Sequence, residues 1–342
     1  MNSSRNAVRR VCAAAFISTL TAVALAQSTD LPEYKPAQKV SGTIRLCGSP
    51  QMEDLLKFYE QGFVKLQPSV RFEDQLTSTV TTVAGVYTGR AEIGLLGREI
   101  WPTEVQAFES ATGHAPTVID VATGSFDVPK ATFALMIFVP TSNPIASLSA
   151  SQLERIFGSS ASPIRTWGEL GLSGDRASRL IRLYGFTVDN DKSRIFSQLV
   201  FVKGERWNPA LKEFSSAAGP GGADAGERIV QAIAKDPDAI GISNVHYATP
   251  GVKALALSTH QHATPIAPTR QNVADRSYPL TRAVYMVIDI DALHPPSAAV
   301  TEFLRYVLSR QGQQAVVQEG NYLPLPPEIA LRQLRELPTQ SH

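Results

Sequence analysis

The sequence predicts an α/β protein with enough chain for two core-bearing lobes. Three observations carry this. Apolar and helical segments alternate as β-α-β-α-β between 42 and 97, the pattern of a parallel sheet covered by helices. The stretch ATFALMIFVP (131–140) is apolar throughout and reads as a buried strand. The chain has 342 residues, and a single core seldom grows beyond about 250–300.

The elements follow in order. Arg9 and Arg10 precede an apolar, small-residue stretch over 11–25, and Ala24-Leu25-Ala26 places small residues where a signal peptidase reads. This predicts a cleaved signal peptide (1–26) and a periplasmic protein. A membrane anchor is the competing reading. The stretch is short for a span of about 20 residues and contains Ser18, Thr19 and Thr21. The arginine pair lacks the context of a twin-arginine signal, and Cys12 lies before the apolar stretch, badly placed for lipidation. Residues 27–39 are polar with two prolines and read as a flexible leader.

Beyond it, GTIRLCGS (42–49) is a strand. Leu55, Leu56, Tyr59, Phe63 and Leu66 mark a helix over 52–66 by their spacing. A strand over 70–76, a helix over 79–88 and the strand AEIGLLG (91–97) follow. The buried strand at 131–140 leads to a helix over 149–157, with Ser149 or Ser151 as N-cap and Glu154 in its first turn. A strand at 182–185, a helix at 193–202, a glycine loop at 219–222, a helix at 225–235 and a strand at 239–243 come next. A helix over 296–310 and a Pro-rich tail close the chain.

Composition excludes several classes. Net charge is +1 with acids and bases interspersed, unlike the one-faced basic footprint of a nucleic-acid binder. Only Cys47 remains after cleavage, so no intrachain disulfide and no paired-cysteine zinc cage can form. No repeat of solenoid period occurs.

Two phrases near the end stand in a telling order: YPLTRAVYMVI (278–288), then FLRYVLSRQGQQAVVQEGNYLPLP (303–324). The first is a Tyr-Pro turn into an apolar strand. The second is a helix through a Gln-Gly-Gln interruption, then a Gly-Asn turn and a Pro-rich exit. With NPIASLSASQLERIFGSSASPIRTWGELG (143–171), GERIVQAIAKDPDAIGISN (226–244) and AEIGLLGREI (91–100), this order resembles the phosphate ABC transporter periplasmic substrate-binding proteins. The resemblance runs over about 40–327.

It implies a type 2 periplasmic binding protein-like fold, each lobe a mixed sheet flanked by helices. Lobe one would take 40–129 plus 255–330, lobe two 130–254, with 331–342 as tail. Crossings near 123–130 and 253–257 would be hinges that close on a ligand. It also implies a small anionic ligand, phosphate by family, held in an interlobe cleft and delivered to an inner-membrane ABC permease by a monomer that is not an enzyme and has no cofactor.

In such a fold, helix N-termini at strand ends suit an anion. Four places meet this description: Gly48-Ser49; Thr77, Ser78 and Thr79; Gly97 and Arg98; and the loop from Thr187 through Asp191 and Lys192 to Ser193. Ser and Thr there are equally ordinary N-caps, stabilising a helix by about 1 kcal/mol each. Arg98 is the cation best placed by motif, since a guanidinium fork suits an oxyanion; on this reading its loss weakens binding more than stability, and the alternative is a surface salt bridge to Glu99 or a cleft carboxylate. The fourth loop departs from the family. Where an Arg several residues before Ser-Gly-Thr is usual, YGFTVDNDKSRIF (184–196) has Phe186 and then Asn190-Asp191-Lys192. Asp189 and Asp191 would repel phosphate unless its proton bonds a carboxylate or Lys192 offsets them. The second loop also lacks the family's Gly-Ser-Gly.

Other constellations fail. His260 and His262 share a strand face without a third ligand and read as a solvated loop. Asp289 and Asp291 read as a polar strand end. Gly219–Gly222 lacks the Gly-Lys-Ser/Thr of a nucleotide loop. A diverged paralogue binding another oxyanion or organic acid, or a sensor, is the nearest alternative. An envelope phosphatase would need an activated nucleophile or a metal site, and a scaffold protein would show no ligand-driven closure.

Overall fold

The computed structural model describes residues 30–202, 204–219, 221–259, 263–291 and 295–338. The strand β1 (Ser41–Gly48) pairs in parallel with β2 (Ser69–Gln75) and β3 (Ile93–Leu96). Between them run α1 (Glu53–Leu66), with Leu55, Leu56, Tyr59 and Phe63 buried, and the short α2 (Thr82–Tyr87). The alternation in the sequence becomes structure here because each helix buries its apolar stripe on one sheet face.

Next come α3 (Pro102–Thr112) and β4 (Thr117–Thr123), neither expected from the sequence. The chain returns to this sheet only at β12 (Ala283–Ile288), antiparallel to both β3 and β4, giving the order β2-β1-β3-β12-β4. Three helices complete the unit: α8 (Ala298–Val307), α9 (Arg310–Glu319) and α10 (Pro327–Glu336), the last two closing on α1 and β4 respectively. Tyr34, Phe63, Phe72, Phe303 and Tyr306 form one aromatic cluster in its core.

The other unit is built on a sheet of order β10-β5-β9-β7-β8. Its strands are β5 (Met136–Pro140), β7 (Arg182–Phe186), β8 (Lys212–Phe214), β9 (Ala239–Ser243) and β10 (Val252–Ala254). β7 runs parallel to β8 and β9, while β5 is antiparallel to β9 and β10, so this sheet is mixed too. The helix α6 (Ala225–Lys235) lies across β9, β7 and β5. A two-stranded element joins β6 (Ser147–Ser149) to β11 (Ala256–Ser258). The remaining helices are α4 (Ala150–Phe157), α5 (Asp191–Val200) and α7 (Arg270–Ala274). Ser149 caps α4 as expected, in a capping box with Gln152 rather than Glu154.

Several boundaries differ from those expected. The units divide at 123/124 and 282/283, not at 129/130 and 254/255. Residues 255–282 stay with β5 and β6: Leu255 N–H donates to Ile137, Leu135 N–H donates to the Leu280 carbonyl, and β11 pairs with β6. The described part of the leader is anchored at two residues. Leu31 and Tyr34 are buried, and Tyr34 donates its hydroxyl to the buried Glu302 at 2.7 Å. The long terminal helix is two helices, broken at Leu308-Ser309 and not at the Gln-Gly-Gln, because Ser309 caps a new start through the Gly312 N–H. Residues 331–336 of the expected tail belong to α10, whose Gln333 bonds the Asp120 backbone both ways. The signal peptide and the pair His260/His262 lie outside the described residues.

Candidate anion-binding loci

In the first unit, the strand ends bring Ser49 and Gly97 together. Ser49 follows β1 and its N–H donates to Leu95 at 2.9 Å. The side chain is fully buried, and among the described residues its Oγ has no hydrogen-bond partner. It does not cap the following 3-10 turn, Pro50–Met52. A buried hydroxyl without a partner is uncommon, since the cost of leaving it unmet is about 1–3 kcal/mol. Two glycines make the arrangement possible. Gly48 adopts φ +136, and a Cβ there would meet the Leu95 carbonyl. A Cβ on Gly97 would stand 2.7 Å from Ser49 Oγ.

The second expected place is built differently. The helix over 79–88 starts later, at Thr82, with Thr81 as N-cap. Ser78 donates its N–H to Gly48 and accepts the Val80 N–H on its hydroxyl. Thr77 is exposed with its N–H on Gln75, and the Thr79 carbonyl takes the Thr82 N–H. Ser78 is thus a local turn-former; Thr77 and Thr79 are not brought to Ser49 by any hydrogen bond.

Arg98 is not a cation presented to an anion. It is 4% exposed and clamps Glu104 fork to fork, at 2.8 and 2.7 Å. One of these nitrogens also donates to the Glu99 carbonyl, and the guanidinium lies over the Trp101 ring, 3.7 Å from its centroid. Glu104 in turn accepts the Trp101 N–H, fixing the start of α3. The sequence leaves Arg98 open between a ligand and an ion pair; the fold supplies the ion pair, with Glu104 on α3 as the carboxylate.

In the second unit, the expected loop is partly helix. α5 begins at Asp191, so Asp191, Lys192 and Ser193 form its first turn, with Asn190 as N-cap accepting the Lys192 N–H at 3.0 Å. Ser193 is buried and donates its hydroxyl to the Phe186 carbonyl, and the Thr187 carbonyl accepts the Asn190 N–H. Lys192 Nζ lies over the rings of Phe133 and Phe186. Asp189 is exposed.

Asp191 faces cations. Its Oδ1 meets Lys192 Nζ at 3.2 Å, and its Oδ2 meets both terminal nitrogens of Arg282 at 3.3 Å. Burial alone would push this carboxyl up. The charges of Lys192 and Arg282, and their hydrogen bonds, outweigh burial and hold it below the usual carboxylate range. Asp191 is therefore ionised. Lys192 and Arg282 thus bring two positive charges to one side of the first turn of α5.

Arg282 escaped the sequence reading, although its signal was present. It is the sole charged residue of YPLTRAVYMVI, and its side chain is 1% exposed. Its carbonyl accepts the Gly124 N–H, so it is held where the first and last residues of this unit meet. The aspartates at 289 and 291 are also engaged: Asp289 lies 3.1 Å and Asp291 3.7 Å from His114 Nε2. Among the described residues, no cluster of three His, Cys, Asp or Glu is arranged for a metal, and no helix is long and apolar enough to cross a membrane.

Two mixed sheets, each on its own unit and flanked by helices, define the fold class of a periplasmic-type solute receptor. A family model described as the PBP superfamily domain matches residues 35–311. The phosphate-binding protein PstS of Pseudomonas aeruginosa is 32% identical over 329 residues, 95% of each chain. Among solved structures, PstS from Borrelia burgdorferi superimposes with a TM-score of 0.55 at 15% identity, covering 84% of this chain and 99% of that one. An ABC-type phosphate transport receptor from Vibrio cholerae gives 0.53 at 17% identity, covering 82% and 99%. The chain belongs to the PBP superfamily, in the family of phosphate ABC transporter substrate-binding proteins.

Proposed function

We infer that this protein captures a small oxyanion of the phosphate class and delivers it to an ABC permease. The observation that carries the reading is the Arg282–Lys192 pair of cations around the first turn of α5, in a chain of this family. A buried guanidinium recognises tetrahedral oxyanions through its fork, and Lys192 adds a point charge. The protein is a receptor and not an enzyme, exported through its signal peptide and active as a monomer in the periplasm.

The decisive experiment is a thermal-shift screen of the mature protein with inorganic phosphate, arsenate, sulfate and small carboxylates. A ligand at 100 times its dissociation constant stabilises by about 2.7 kcal/mol. Phosphate should raise the melting temperature of wild type, and Arg282→Gln should abolish the rise. If no anion stabilises the protein, the reading is wrong. N-terminal sequencing of envelope material tests export: a chain retaining residues 1–26 would overturn it.

One observation favours a second reading, a diverged receptor for another oxyanion or an organic acid. The turn that supplies anion contacts in the family carries Asp189 and Asp191 here. Stabilisation by a carboxylate or another oxyanion, with none by phosphate, would select it.

A further inference from the structure

Two arginine–carboxylate pairs in this protein differ in geometry. Arg98 and Glu104 meet fork to fork at 2.7 and 2.8 Å, with side chains 5% and 13% exposed. Arg282 places both terminal nitrogens on a single oxygen, Asp191 Oδ2, each at 3.3 Å. Charge-assisted bonds of this type run at about 2.7–2.9 Å. The Arg282 contact is therefore long and one-sided. The exposures are unequal too: 1% for the Arg282 side chain and 32% for that of Asp191. The carboxylate stands toward water while the guanidinium is held inside. Lys192 takes the other carboxylate oxygen at 3.2 Å and is itself 24% exposed. A short, buried fork resists exchange. A long contact from a partly exposed carboxylate gives up less than such a fork when another oxyanion replaces it.

We propose that Asp191 is an internal counter-anion: its carboxylate occupies Arg282 and Lys192 in the unliganded protein, and a small tetrahedral oxyanion binds by displacing it. Asp191 thereby sets the concentration at which the receptor fills. This rests on the reading of the locus as an anion site. The covalent position of Asp191, next to Lys192 at the start of α5, returns the carboxylate to the cations when the ligand leaves. Between fillings, the Asp191 carboxylate stays within 3.3 Å of both cations.

The test is isothermal titration of inorganic phosphate into wild type, Asp191→Asn, Asp191→Ser, Asp189→Asn and Arg282→Gln, near neutral pH at one ionic strength. Both Asp191 variants should bind at least about tenfold more tightly than wild type, equal to about 1.4 kcal/mol. Asp189→Asn removes the same formal charge from an exposed side chain and should change affinity by less than about twofold, as screening of surface charges dictates. Arg282→Gln should lose binding. If wild type binds phosphate and the Asp191 variants bind equally or less tightly, the counter-anion role is overturned while the receptor reading stands. An equal gain in Asp189→Asn reduces the effect to net charge and also overturns it. If neither wild type nor any Asp191 variant binds phosphate, arsenate, sulfate or acetate, the anion-site reading itself falls.

Discussion

Replacing Arg98 with Ala should unfold this protein more readily and leave anion affinity intact. The side chains of Arg98 and Glu104 are 5% and 13% exposed, so the pair is largely removed from water. Deleting one member of such a pair leaves the other as an uncompensated charge, at a cost of about 3–5 kcal/mol. Glu104 keeps the Trp101 N–H and some hydration, which places the loss near the lower end, about 3 kcal/mol. The stacking of the guanidinium on Trp101 disappears as well. In a unit of this size, 1 kcal/mol moves the melting temperature by about 2–4 °C, so a fall of about 6–12 °C is expected. Urea unfolding of wild type, Arg98→Ala, Glu104→Gln and the double variant supplies the assay. The cycle should return a coupling of about 1–3 kcal/mol between the two residues. A loss below about 1 kcal/mol, with no coupling and with phosphate binding abolished, would refute the reasoning and restore Arg98 as a ligand contact.

Three further outcomes are expected. Glu60 on α1 is pushed up to about 8 by burial and by the charge of Asp74, with which it shares a hydrogen bond. Its folded value thus lies above its unfolded one, and the associated stability is present below the usual Glu range and lost as pH rises through about 8. Glu60→Gln should gain on wild type by about 1–2 kcal/mol, after allowance for solvent screening, between mildly acidic and alkaline urea titrations; a difference that does not vary with pH would sink the idea. Tyr34→Phe removes the donor at 2.7 Å from buried Glu302 and should cost about 1–3 kcal/mol by the same assay, an unchanged midpoint showing the leader to be dispensable. Gly97→Ala forces a methyl to within 2.7 Å of Ser49 Oγ and should cost about 1–3 kcal/mol, relieved when combined with Ser49→Gly; if the second change gives no relief, the clash lies elsewhere.

The fold class was legible because it rests on periodicity. The apolar stripe of α1 and the unbroken apolar run into β5 each name their element without help from distant residues. The end of α9 at Gly320, with φ +83, is local chemistry of the same kind. Elements defined by their partners were not legible. β4 is half-polar along its length and becomes a strand through pairing with β12, which lies more than 150 residues away in the chain. α10 follows Leu-Pro-Pro and looks like a tail until Gln333 meets Asp120. The site shows the same division. Ser49 follows from local turn chemistry, whereas α5 starts two residues before the expected 193 because Asn190 caps it. The fate of Arg98 and the presence of Arg282 depend on which carboxylate the fold brings to each guanidinium, and no spacing rule reports that.

What the altered turn at 190–193 does to recognition follows from where its polar groups are spent. Asn190 uses its side chain to accept the Lys192 N–H, and Ser193 turns its hydroxyl back to Phe186. Two groups that a phosphate-cradling turn would offer are consumed inside the protein. On the proposed reading, recognition at this turn rests on side-chain charge, through Lys192 and Arg282, and not on these hydroxyl and amide groups. Backbone donors are fixed by the helix and read the shape of an oxyanion. Side-chain cations read charge first, and their selectivity depends on whatever else competes for them. That competitor is Asp191, held in the same turn and ionised by the cations it faces. The two carboxylates that made the sequence look hostile to an anion thus separate into an exposed one, Asp189, and one that occupies the place of the anion, Asp191.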